Sequence, residues 1–318
     1  MNQEKQWDVI TCGDVFIDLI LSGFARWPQP GEEAFARALR QEAGGGAAIT
    51  ACGLAKLGRK VAVLGLIGSE GEWLHQRLKD CGVDDELIHR PGGDHVGLTV
   101  SVSTAKDRAY FTYAGTNLAL PDLLALDLPT CQALTRARHV HLAFPVAPRL
   151  LRSIATLLGK SGCTLSLDVG WQPQWLVKRQ SLQTLRKVDL FLPNEREAAL
   201  LSGQAEPEAM LRVFAKAGLR GVALKLGARG SMLLWESKIY TCPPIRLKPL
   251  DTTGAGDCFD AGFIHAWLKG EAPLRCLQYG NICGALSTLR LGGLDGFPST
   301  KQLQTRLRQC AADKSDLA

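Results

Sequence analysis

Short apolar segments alternate with amphipathic ones along almost the whole chain, and that alternation restricts the fold more than any other feature. Candidate strands are Val9–Cys12, Val61–Ile67, His139–Phe144, Thr164–Asp168, Val188–Leu192 and Val222–Leu226. Helical periodicity predicts helices over Ala47–Leu57, Trp73–Cys81, Arg149–Leu158, Glu195–Leu201, Glu206–Ala217, Ala255–Lys269, Leu274–Leu289 and Lys301–Cys310. Strands separated by helices need crossover connections, hence parallel pairing and an α/β fold with a doubly wound, mostly parallel sheet flanked by helices. At 318 residues the chain can bury one large core or two ordinary ones.

Two stretches break the rhythm. Residues 19–43 carry Trp27-Pro-Gln-Pro-Gly31 after the first strand. Residues 94–116 alternate as strands over Gly97–Ser103 and Arg108–Tyr113, joined by the polar turn Thr104–Asp107. The two are expected to pair as a small β-sheet outside a core made of residues 1–18, 44–93 and 117–318. Its edge is a place where two chains can pair, so a homodimer is a further expectation.

Composition excludes several classes. No apolar run reaches the ~18–20 residues of a membrane span. The first residues, MNQEKQWDVITCGD, lack a basic segment followed by an apolar one, so no secretory signal is read. Ten cysteines are scattered without a C-x-x-C pair, and Cys12, Cys163 and Cys258 fall inside predicted elements. That pattern predicts reduced, small apolar side chains in a cytoplasmic protein. The net charge of +6 forms no basic stripe with interleaved aromatics, so neither nucleic acid nor membrane is an expected partner.

Asp251-Thr-Thr-Gly-Ala-Gly-Asp-Cys-Phe-Asp-Ala-Gly-Phe263 carries the chemistry. Gly254 and Gly256 permit a tight turn that presents N–H groups, and the helix that follows adds positive potential. Gly254, Ala255 and Gly256 therefore read as an anion cradle. Asp257 would repel that anion unless it takes a proton from an attacking hydroxyl. A capped helix with a glycine turn fits Gly254–Asp257 alone; the full string is far more specific. It resembles the second signature of the PfkB-type, ribokinase-like carbohydrate kinases.

The resemblance extends to three further motifs. In G13-D-V-F-I-D18, Asp18 matches the family's sugar-binding aspartate, with Asp14 a weaker candidate. In G44-G-G-A-A-I-T-A-C-G-L-A-K-L-G58, Gly44 and Gly45 match substrate contacts, and Ile49 stands where the family has an asparagine that bonds a sugar hydroxyl. In P193-N-E-R-E197, Asn194 and Glu197 match the pair that organises magnesium through water; an N-cap with a capping box reads equally well there. K225-L-G-A-R-G-S231 resembles the nucleotide-side turn, giving Lys225, Gly227 and Gly230, although a plain hairpin turn fits too. Asn281 matches a residue beside the adenine, and Asp251 and Thr253 match contributors to a monovalent-cation site walled by residues 290–297. The run Asp168-Val-Gly-Trp-Gln departs from the Asp-x-Asn-x-Arg of many members.

The resemblance implies an ATP- and Mg2+-dependent kinase, with possible K+ dependence, that phosphorylates a hydroxyl of a sugar or sugar acid under a small-sheet lid. A nucleoside kinase of the same fold is the alternative, and a non-catalytic sugar- or nucleotide-binding regulator a more distant one. A dinucleotide site fails because no G-x-G-x-x-G follows an early strand. G53-L-A-K-L-G-R-K60 has P-loop glycine spacing but Arg59 in the lysine position and no Ser/Thr after it.

Overall fold

A computed structural model describes residues 5–24, 26–104 and 108–315, so residues 105–107 of the expected polar turn lie outside the described residues. The main sheet has nine strands: β1 (Trp7–Gly13), β4 (Val61–Leu66), β5 (Ile88–His89), β8 (Ala137–Ala143), β9 (Thr164–Asp168), β10 (Leu190–Phe191), β11 (Gly221–Lys225), β12 (Ser231–Trp235) and β13 (Lys238–Cys242). A separate sheet holds β2 (Phe16–Phe24), β3 (Ala38–Gly44), β6 (Leu98–Thr104) and β7 (Arg108–Tyr113).

The main sheet runs β13-β12-β11-β10-β9-β8-β1-β4-β5. Seven strands, β11 through β5 in that order, are parallel; β12 and β13 close one edge as an antiparallel hairpin. The chain leaves β1 toward β4 on one side and returns to β8 on the other. This reversal opens a crevice beyond the carboxyl ends of β1 and β8, the usual ligand position in such sheets. Strand β10 is shorter than the apolar run 188–192 suggests. Asp189 breaks it, since its side chain accepts from the Leu165 N–H at 2.9 Å.

Helices cover both faces. On one lie α1 (Gly46–Lys56), α2 (Glu72–Asp80), α10 (Ala255–Leu268), α11 (Pro273–Ser287) and α12 (Thr300–Ser315). On the other lie α3 (Leu120–Leu126), α4 (Leu128–Ala133), α5 (Pro148–Lys160), α6 (Pro173–Leu176), α7 (Arg179–Thr184), α8 (Glu195–Ser202) and α9 (Pro207–Lys216). Burial on both faces explains why β4 reads as VAVLGL with every residue buried.

The small sheet runs β3-β2-β6-β7, with β2 and β6 parallel. Its register separates two faces. Asp18, Glu42, Thr99 and Thr112 align across the four strands on one. Leu19, Leu21, Leu39, Val100, Val102 and Phe111 occupy the other. Asp18 therefore sits on the small sheet, five residues past the end of β1.

Candidate functional site

The crevice is a cleft of about 830 Å³ bounded by β1, β8, β9 and β11, by the starts of α8 and α10 and by the C-terminal half of α11. It gathers Asp14, Asn194, Glu197, Lys225, Gly227, Gly230, Ala255, Gly256, Asp257 and Asn281 into one wall, although they span most of the sequence. Asp18, Gly44, Gly45, Ile49, Asp251, Thr253 and Gly254 lie behind or beside that wall.

Asp257 occupies the first turn of α10, whose N-cap Gly254 has φ 67°. Only glycine adopts that conformation cheaply. A Cβ on Gly254 would also approach Ile49 Cδ1 to 2.8 Å, so Ile49 backs the glycine loop and does not reach the cleft. Asp251 fixes the loop from below: one carboxylate oxygen accepts from Thr253 N–H and Oγ1, and the other from Gly292 N–H at 2.8 Å. The Thr50 hydroxyl donates to the Asp257 carbonyl at 3.3 Å, tying α1 to α10.

Burial pushes the Asp257 carboxyl up to about 7; Asp168 adds to the rise and Lys225 opposes it. Asp18 is likewise pushed to about 7, first by burial and then by Asp257, Glu42 and Asp251, so the two carboxylates feel each other across the site. Asp14 rises to about 6 through burial. Carboxylates with pKa near neutrality can exchange protons with a bound hydroxyl at working pH.

Glycines shape the side of the site that holds Asp14 and Asp18. A Cβ on Gly44 would lie 2.0 Å from Asp18 Oδ1, so the carboxylate rests directly on the backbone. Gly45 has φ 87°, and its Cβ would collide with the Asp14 carbonyl at 2.2 Å. A Cβ on Gly46 would sit 3.2 Å from Asp257 Oδ1. Gly46 was not singled out from sequence, but the triple glycine that contains it was the signal.

At the other end, Asn194 caps α8 and forms a full capping box with Glu197. Asn194 N–H and Nδ2 donate to the two Glu197 oxygens at 2.9 and 2.6 Å. Burial, then Asp168, raises Glu197 to about 7. The local capping role and a place on the cleft wall are thus held by the same pair. Gly227 and Gly230, with φ 56° and 89°, shape the turn from β11 into β12, so the hairpin reading of that motif describes the backbone. Asn281 Nδ2 donates to the Pro243 carbonyl at 3.0 Å and anchors the loop after β13.

Lys225 Nζ donates to Asp168 Oδ2 at 2.6 Å and to both Asp260 oxygens at 3.1 and 3.2 Å. Neither acid was picked as a site residue from sequence. The available signal for Asp260 was its spacing, three residues after Asp257 and hence on the same helix face.

The profile of the pfkB family carbohydrate kinases matches residues 6–300. A 2-dehydro-3-deoxygluconokinase of Bacillus subtilis is 29% identical over 275 residues, covering 81% of this chain and 84% of its own. An ATP-dependent ribose-1-phosphate kinase of Halopiger xanaduensis is 32% identical over 289 residues, covering 89% and 93%. The solved structure of Arabidopsis thaliana ribokinase complexed with ribose and ATP superposes with a TM-score of 0.84 at 24% identity, over 96% of this chain and 99% of that one, a likeness of fold.

Proposed function

The chain belongs to the pfkB family of carbohydrate kinases, phosphotransferases acting on sugar hydroxyls, and from that premise we propose that it transfers the γ-phosphoryl group of ATP to a hydroxyl of a small sugar or sugar acid. The observation that carries this reading is Asp257: a carboxylate with pKa raised to about 7, in the first turn of a glycine-capped helix on the cleft wall, within electrostatic reach of Asp18.

In the proposed reaction Asp18, over Gly44 and Gly45, holds the acceptor, with Asp14 beside it. Asp257 accepts the proton as the acceptor oxygen bonds to the γ-phosphorus. The bond from that phosphorus to the bridging oxygen breaks, and ADP leaves with the electron pair. The Gly254–Asp257 backbone and the α10 N-terminus stabilise charge on the moving group. Lys225, Gly227, Gly230 and Asn281 line the nucleotide side. Asn194 and Glu197 fit a hard, water-rich cation such as Mg2+, since both Glu197 oxygens are already bonded to Asn194 and would reach the ion through water. When bound, that ion neutralises phosphate charge. The Asp251–Thr253 turn and residues 290–297 belong to the same proposal as the seat of a monovalent cation, tested by turnover with and without K+.

The small sheet is proposed as a lid that excludes water from the acceptor. Its second face supports a homodimer: Leu39 is 65% and Phe111 62% exposed on a face lined with Leu19, Leu21, Val100 and Val102. No helix among the described residues is long and apolar enough to cross a membrane, and all ten cysteines are free thiols, which supports a cytoplasmic setting.

The test is ADP release with ATP and Mg2+ across sugars, sugar acids and nucleosides, with Asp257→Asn alongside. Acceptor-dependent turnover should fall by about 10²–10⁴-fold in the variant. Turnover retained in Asp257→Asn removes the base assignment, and turnover only with nucleosides replaces the acceptor class.

A further inference from the structure

Parallel sheets covered on both faces normally carry apolar side chains there. Beneath α10 this sheet carries charge instead. The Lys225 side chain is 10% exposed, Asp168 11% and Asp260 0%, and the ammonium lies within hydrogen-bonding distance of both carboxylates. Carboxylate oxygens of Asp168, Asp257 and Asp260 all lie within 4.8 Å of one another. A Cβ on Gly256 would be 3.5 Å from Lys225 Nζ, which places the cation at the rim of the anion cradle.

The other charged groups that act with Asp257 or share its cleft wall are acidic: Asp18 from β2, Asp14 after β1 and Glu197 from α8; Lys56, at the end of α1, acts on the next residue, Cys258. Arg246, the other cation of the cleft wall, is exposed on the loop after β13. Among the described residues, Lys225 is thus the cation packed among these acids.

We propose that Lys225 is a positioning residue for phosphoryl transfer, clamped between Asp168 and Asp260 so that its charge offsets the surrounding carboxylates and keeps Asp257 able to work as an anion near neutral pH. Asp260 is the anchor, since it is fully buried outside the cleft wall and touches Lys225 with both oxygens. The buried ammonium keeps its charge because both acids outweigh the cost of desolvation. This inference rests on Asp257 as the base.

The experiment is the pH profile of kcat/KM for the acceptor. Removing a positive neighbour raises a carboxyl pKa, and removing a negative one lowers it. Lys225→Met should move the acid limb up by about one pH unit, and Asp168→Asn, which removes the acid that raises Asp257, should move it down by a fraction of a unit. The double variant Lys225→Met/Asp168→Asn removes the two opposed influences together and should lie between the single variants; if Lys225→Met does not fold, a double-variant limb above that of Asp168→Asn carries the lysine's effect. Limbs that stay put, or move the same way in both single variants, overturn the proposal. So does a rise in ATP KM in Lys225→Met with no movement of the limb, which would make Lys225 a phosphate contact only. Asp257→Asn separates the premise: if it turns over normally, the base assignment fails before these limbs are read.

Discussion

Ionising Asp257 in the folded protein costs free energy, because half-buried surroundings and the neighbouring Asp168 both favour the neutral form. Its folded pKa, about 7, lies above the ~3.9 of an unfolded aspartate. The stability it contributes is therefore complete below about pH 4 and is lost as pH rises through 7. Asparagine does not titrate. Asp257→Asn should melt above the parent at pH 8, and the gap should close toward pH 5; an equal gap at both values would mean that the carboxylate is not strained. Asp18, also raised to about 7, shares this conflict between stability and site chemistry. Gly44 shows a different dependence: its lack of a side chain is what lets the Asp18 carboxylate rest where it does.

At the scale of elements, the small sheet is tied to the core by charge. Glu42 on β3 is buried and accepts from Arg77 Nε and Nη2 of α2 at 2.8 and 3.0 Å. Glu42 also lies directly opposite Asp18 across the β2–β3 pair, where like charges repel. Arg77 offsets that repulsion and reaches Asp295 of the 290–297 loop at 3.4 Å. Gly292 of the same loop packs on Glu42 and Ile20 and donates to Asp251. Arg77→Met should cost about 3 kcal/mol, the low end for breaking a buried pair, because the arginine side chain is 29% exposed. Denaturant unfolding would measure it, and Arg77→Met/Glu42→Gln should recover part of the loss. A loss within about 0.5 kcal/mol would place this ion pair with ordinary surface pairs.

For the whole molecule, the exposed apolar face of the small sheet is the feature most at odds with a solitary chain. Phe111→Asp together with Leu39→Asp should shift sedimentation from dimer to monomer; a parent that sediments as a monomer at high concentration ends that reading. The main architecture was legible before any coordinates, because the alternation of β and α elements and the motif glycines are local signals with few foldings. That Asp257, Asn194, Glu197 and Lys225 fall on one cleft wall follows a similar logic: each sits in a short string whose backbone geometry depends on neighbours in sequence. The β12–β13 hairpin went unread because SMLLW and KIYTC carry no helix between them to announce a crossover. The place of Asp18 on the small sheet depended on where β1 ends. Gly13 ends it, packed so closely on Ala143 that a Cβ would lie 2.5 Å from that carbonyl. Sequence by itself determined the layered α/β plan and the motif strings that the fold gathers on one cleft wall. Only the tertiary structure decided which charges meet: Lys225 with Asp168 and Asp260, Glu42 with Arg77, Ile49 behind the loop. The pairing of buried charges is set by packing between elements far apart in the chain, and no local pattern records it.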